Sequence, residues 1–256
     1  MRPSRSRGAI RVIAMLLAAV PCARAALDEN GGGGPRKLPD ARELLAAVLD
    51  SLPGEPVAIS AQLQSRNAAG GVEQTLRADM TLNWGGRPPS ARYTVYDAFG
   101  ASLEGLHVAW QPDGGRSFAY FTGDPLIGAP VPDLFAPIRD TDLSWSDLSL
   151  SYLWWPGGRT VGEERIKGRS CFIVDLPAPP GEAGRCAGVR LWLDPQIRIL
   201  LQAAAYDAQG RMDRLLEVRS FKKVRGVWVI QDVDVRSFPS RHKTSLRVRE
   251  TQAAEK

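Results

Sequence analysis

The sequence predicts a mainly β protein: roughly a dozen antiparallel strands in one large sheet, with one helix ahead of them and one helical stretch at the centre. Three observations carry this. Apolar and polar residues alternate with a period of two from Val57 onwards. Turn-forming clusters (GGRPPS, FGAS, QPDGG) separate the alternating runs. The period becomes helical in only two places, 40–52 and 144–155. A sheet of that many strands must curl or close. If two sheets packed together, the apolar face would be an ordinary core; if one sheet curls, that face needs a cover.

The N-terminus reads as an export signal. Residues 1–11 carry four arginines and no acid, and 12–20 (VIAMLLAAV) form a nine-residue apolar run, too short to span a bilayer. Ala23-Arg24-Ala25 supplies the small-x-small cleavage pattern, so residues 1–25 are expected to be a signal peptide cut after Ala25. Pro21 stands where a lipobox before Cys22 would need a small residue, and no paired arginine marks a twin-arginine signal. Of 33 basic residues, five fall in this segment, which leaves 28 against 28 acidic ones. The basic balance therefore belongs to export, and a nucleic-acid partner loses its main support. Residues 26–37, with four consecutive glycines, read as a flexible linker, and 38–256 as one domain.

Asp40 is a good N-cap with Glu43 completing a capping box, and Leu44, Leu45, Val48, Leu49 and Leu52 form one apolar stripe before Pro53-Gly54 stops the helix. In the strands that follow, Val72, Leu76, Ala78, Met80, Leu82 and Trp84 share one parity. Strands recur near 91–97, 103–111 and 116–122. After an irregular, Pro-rich insert at 123–158 they resume near 160–166, 169–176, 187–194, 198–207, 213–222, 227–236 and 244–250.

Catalytic signatures are missing. No nucleophile elbow, phosphate loop or dinucleotide fingerprint is present. His107 and His242 are the only histidines, and neither lies near a second metal ligand, so no metal, cofactor or enzymatic activity is expected. Glu163 and Glu164 point to opposite faces of a strand; Asp232 and Asp234 share a face and read as a solvated edge. Cys171 and Cys186 flank a turn-rich stretch. A hairpin centred on residues 178 and 179 would set them opposite each other, predicting a cross-strand disulfide in an oxidising compartment; the alternative is two buried, unpaired thiols. Lys222, Lys223 and Arg225, with Arg236, Arg241, Lys243, Arg247 and Arg249, could dock an acidic partner or anionic headgroups.

The central stretch DLSWSDLSLSYLWWPG (142–157) holds three tryptophans and a tyrosine. On a helix, Trp145, Leu148, Tyr152 and Trp155 share a face, widened by Leu143, Leu150 and Trp154. Ser144 caps the start with Asp147 three residues on, and Pro156 ends it. These aromatics either fill a helical corner of the core or line the mouth of an apolar cavity, where each sheltered methylene contributes roughly 0.8 kcal/mol.

Together, DLSWSDLSLSYLWWP (142–156), VRLWLDP (189–195), AAYDAQGR (204–211) and KKVRGVWV (222–229) resemble the periplasmic outer-membrane lipoprotein-sorting proteins, in the broader LolA-like branch, over about Val72 to Glu250. The resemblance implies an open antiparallel half-barrel whose concave apolar face is lidded by helices. It also implies a non-catalytic, monomeric periplasmic carrier that binds acyl chains of a lipid or lipoprotein and moves them towards the outer membrane. An inner-membrane lipid exporter is a further partner. The alternative is an accessory subunit of an envelope lipid or efflux transporter with no cargo of its own. The expected cavity residues are Leu76, Met80, Leu82, Trp84 and Trp110 on the sheet, Leu45, Val48 and Leu49 on the covering helix, and Trp145, Leu148, Tyr152 and Trp155 on the lid. On this reading Trp155→Asp abolishes lipid uptake and spares the fold. Arg92 and Arg139 are the candidates for a basic residue that latches the lid.

Overall fold

The computed structural model describes residues 37–111, 115–181, 186–224 and 226–254. The expected signal peptide (1–25), nearly all of the expected linker and Arg225 lie outside the described residues. Within Leu38–Lys256, helix α1 (Ala41–Leu49) precedes six strands: β1 (Val57–Arg66), β2 (Val72–Asn83), β3 (Ser90–Tyr96), β4 (Ser102–Trp110), β5 (Arg116–Thr122) and β6 (Ile127–Ala129). Helix α2 (Trp145–Ser149) and a 3-10 turn (Ser151–Trp154) follow. Seven more strands complete the chain: β7 (Arg159–Ile166), β8 (Arg169–Pro177), β9 (Gly188–Asp194), β10 (Ile199–Tyr206), β11 (Met212–Val224), β12 (Val227–Ser237) and β13 (Lys243–Ala253).

All thirteen form one antiparallel sheet in the order β6-β5-β4-β3-β2-β1-β13-β12-β11-β10-β9-β8-β7. The first and last strands pair at its centre, Leu63 opposite Leu246 and Ser65 opposite Thr244. The outer edges, β6 and β7, do not pair with each other, so the sheet stays open. This topology accounts for the long insert: the chain leaves at one edge and re-enters at the other, and residues 130–158 make the crossing.

Strand alternation decides which face the crossing segment covers. Leu63, Leu76, Val95, Leu106, Val174, Leu191 and Leu216 are fully or almost fully buried on the inner face, beneath α1 and the crossing segment. Each such aliphatic side chain contributes about 1.5–3 kcal/mol relative to exposure. Polar contacts fasten the crossing segment to strands across the sheet. The Ser65 hydroxyl donates to the Asp140 carbonyl (3.3 Å), and the Asp142 N–H donates to the Thr244 hydroxyl (2.7 Å). That hydroxyl in turn donates to the Asp142 carboxylate (2.9 Å), and Arg116 donates to the Ser151 carbonyl (2.9 Å). Ser65 and Thr244, each 1% exposed, occupy inner-face positions that would otherwise call for apolar residues.

Four expectations are corrected. The predicted helix over 144–155 is broken: α2 ends at Ser149, Leu150 takes a left-handed conformation (φ 50°), and a 3-10 turn follows. The Ser149 hydroxyl donates back to the Trp145 carbonyl (2.7 Å), a bond that bends helices and competes with their backbone ladder. Helix α1 stops at Leu49, and Asp40 caps it through the Arg42 N–H (2.7 Å) rather than through Glu43. A short strand, β6, falls inside the stretch expected to be irregular.

The fourth correction concerns the cysteines. Cys171 and Cys186 are both free and buried. Strand β8 pairs β9 with Phe172 opposite Leu193 and Pro177 opposite Gly188, so Cys171 lies near the far end of β9 while Cys186 precedes that strand. The two thiols also sit in separate clusters, Cys171 with Trp192, Ile199, Leu201 and Ala204, and Cys186 in the main core. Burial is the leading cause that pushes each thiol up to about 11.

Candidate functional site

The inner face is not completely filled. A cavity of about 160 Å³ lies between the sheet, α1 and the crossing segment. Strands β1–β3 contribute Ile59, Met80, Leu82, Trp84 and Tyr93, and the second half of the sheet contributes Leu200, Leu216, Val233, Leu246 and Val248. Val48 reaches it from α1, and Leu148, Leu150 and Leu153 from the crossing segment. Among the described residues two charged side chains line it, Asp147 and Arg198.

Of the residues the sequence singled out, the structure brings Met80, Leu82, Trp84, Val48 and Leu148 to the cavity wall. Leu76 and Leu45 are buried in the core that surrounds it, and Leu49 packs against that core from its edge. Trp145, Tyr152 and Trp155, at 2%, 1% and 2% exposure, are packed inside the crossing segment and its contacts rather than at a mouth. Trp145 meets Tyr120 edge-on at 6.2 Å, and Trp155 meets Phe135 at 5.6 Å. Trp110 joins Trp84 (4.9 Å between ring centroids) and Trp154 (4.4 Å) in a three-indole cluster beside the cavity. The aromatic stretch is thus split: most of it is core, while the turn of Leu148, Leu150 and Leu153 faces the hollow.

Sequence reasoning missed the second wall, β10–β13, and the ion pair beneath the hollow. Arg214 lies on β11 with the inner-face parity of Leu216, which is the signal that could have found it. Its Nε sits 2.7 Å from Asp147 Oδ2 and its Nη1 donates to the Phe135 carbonyl (3.2 Å), with both side chains at most 5% exposed. Asp147 also closes the capping box of α2, accepting from the Ser144 N–H (3.1 Å) and hydroxyl (2.6 Å). One buried ion pair therefore fixes the start of α2, the segment at Phe135 and strand β11 together. Of the two candidate latches, Arg139 makes such a link, meeting Glu104 of β4 at 2.6 Å and the Leu103 carbonyl at 2.8 Å. Arg92 does not: it is exposed on the outer face, opposite His107. Burial and the Glu104 carboxylate both raise the Tyr120 hydroxyl, which donates to Glu104 at 2.8 Å.

Three polar groups at the cavity wall are already bonded within the protein. The two serines are engaged with carbonyls, Ser149 with Trp145 and Ser51 with Val48 and Arg198. The carboxylate of Asp147 is neutralised by Arg214. Asp234, read from the sequence as part of a solvated edge, is 1% exposed and bonded by Arg219, Arg247 and Ser245 at 2.7–2.8 Å. It organises the outer face away from the cavity. Among the described residues no cluster of three or more metal-ligating side chains occurs, and no helix is long and apolar enough to cross a membrane.

Solved structures share this architecture. A putative outer membrane lipoprotein-sorting protein domain from Vibrio parahaemolyticus matches with TM-score 0.70 and 11% identity, over 82% of this chain and 91% of that one. A LolA superfamily protein from Nitrosomonas europaea matches with TM-score 0.65 and 10% identity, over 86% and 96%. The chain shares its fold with these two proteins. A DUF1329 family protein from Desulfovibrio piger matches as well, with TM-score 0.70 and 15% identity over 83% and 91%. At these identities the likeness is one of fold. Residues 133–256 match a family described as "Uncharacterized protein", a span that begins within the crossing segment and takes in β7–β13. No curated protein matches the chain in sequence.

Proposed function

We propose that this protein is a non-catalytic, monomeric periplasmic carrier. It shelters the acyl chains of a lipid or lipoprotein in the inner cavity and moves them towards the outer membrane, receiving them from an inner-membrane lipid exporter. The observation that carries this reading is the apolar hollow left under an open LolA-like sheet, walled by aliphatic side chains from both halves and from α1. The name of the Vibrio neighbour, a lipoprotein-sorting domain, and the export signal read in residues 1–25 support the compartment and the cargo class.

At about 160 Å³ the hollow is near the size of an engineered apolar cavity of about 150 Å³ that takes up benzene, and below the roughly 300 Å³ at which ligand pockets begin. A long acyl chain therefore requires it to widen. The joint for that movement is Leu150, whose left-handed backbone separates α2 from the 3-10 turn and whose side chain lines the hollow. Sixteen methylenes left in water cost on the order of 10 kcal/mol, enough to drive that rearrangement.

The test is gentle purification from the native envelope followed by mass spectrometry of co-purifying lipids, together with titration of a fluorescent fatty acid. Acyl-bearing molecules and saturable uptake are expected. A lipid-free protein that takes up no fatty acid but travels with an envelope transporter would replace the carrier reading with an accessory subunit.

A further inference from the structure

We infer that the cargo is an anionic amphiphile whose headgroup is held at the cavity rim by Arg198. This rests on the carrier reading and adds the headgroup's charge to it.

Of the two charged side chains lining the hollow, Asp147 is buried and neutralised by Arg214. Arg198 is exposed, and its guanidinium makes no hydrogen bond or ion pair among the described residues. The lining thus carries one uncompensated charge, positive and at the rim, above an otherwise apolar interior. An amphiphile with a carboxylate or phosphate head and an apolar tail matches that distribution. A guanidinium presents donors in a fixed fork that suits either anion.

Arg198 is also held in place. It ends the β9–β10 turn, whose Gln196 and Ile197 N–H groups both donate to Asp194, a residue 1% exposed and ion-paired with Arg169. The Ser51 hydroxyl, from the loop after α1, donates to the Arg198 carbonyl at 2.8 Å. The residue has φ 54°, a conformation that hairpins more often assign to glycine. Arg139, Lys167 and Arg241 share that conformation, so position rather than backbone singles out Arg198. A second cation stands nearby: Lys223 Nζ lies 5.9 Å from the ring of Trp228, which lines the same hollow.

The experiment compares hexadecanoate, hexadecyl phosphate and hexadecan-1-ol, each below its aggregation limit, by displacement of a fluorescent fatty acid at low and high salt. Wild-type protein is expected to bind one or both anions about tenfold more tightly than the alcohol, with a preference that shrinks as salt rises. Arg198→Gln should bind all three at the alcohol's affinity, and Arg198→Lys should retain most of the preference. The two anions tell a carboxylate head from a phosphate one. Equal affinity for alcohol and anions in wild type, or an undiminished preference in Arg198→Gln, overturns the inference while the carrier reading stands. If none of the three binds, the carrier reading falls and this one with it.

Discussion

Filling the cavity should make the protein more stable and less able to bind. Val248 lies on β13 opposite Ala61, half-buried and facing the hollow. At about 24 cal/mol per Å³, an unfilled space of about 160 Å³ costs at most about 4 kcal/mol. Val248→Phe adds four carbons to that space, worth about 3 kcal/mol of burial against about 1–3 kcal/mol of strain. The expected net gain is about 1 kcal/mol, or about 2–4 °C in Tm for a domain of this size. The ring also occupies room for at least two methylenes of cargo, so affinity for a fluorescent fatty acid should fall more than tenfold. Thermal unfolding and fluorescence titration on one preparation give both numbers. An elevated Tm with unchanged Kd would show that acyl chains do not enter here, and the argument from the hollow would fail.

Other expectations follow from the buried polar groups and the core. Arg214→Ala leaves the Asp147 carboxylate buried without its partner and should cost about 3–5 kcal/mol in urea unfolding. Trp155→Asp, which the sequence alone presents as a lid variant that spares the fold, places a carboxylate at a site 2% exposed and should instead abolish cooperative unfolding. Cys171 and Cys186 should resist iodoacetamide in native protein at pH 8 and react once the protein is denatured without reductant, since burial pushes both thiols up to about 11 and no bond joins them. Burial raises the Asp234 carboxyl, but bonds from Ser245 and Arg247 and the charges of Arg247 and Lys243 outweigh it and hold the group well below its usual value. The stability this confers is present above the unfolded-state value of about 4 and is lost as pH falls further towards the folded value. The stability gap between wild type and Asp234→Asn should therefore be widest near neutrality and narrow below about pH 4.

Strand alternation made much of the sheet readable, because Leu76, Ala78 and Met80 on β2 and Ala91, Tyr93 and Val95 on β3 bury every second side chain against one surface. β6 left no such trace: it is three residues long with Ile127 68% exposed. The helical spacing of Trp145, Leu148, Tyr152 and Trp155 was legible, but spacing is blind to a serine that competes for its own helix's carbonyl, as Ser149 does. The disulfide expectation failed because turn composition located the β8–β9 hairpin without its register. For the hollow, parity told which residues face inwards but not which of them leave space unfilled. That depends on how β10–β13 close over α1 and the crossing segment, a property of packing rather than of any local pattern.

Pairing β1 with β13 puts the two ends of the domain's chain side by side in the middle of the sheet. Each half of the sheet is a run of neighbours in sequence, but the seam between them waits for Lys243–Ala253, the thirteenth of the sheet's strands in chain order. Until that strand pairs with β1 and β12, the two halves of the sheet are unjoined. Loss of the final strand should therefore be far more damaging than an equally long deletion at β6 and its neighbouring turn.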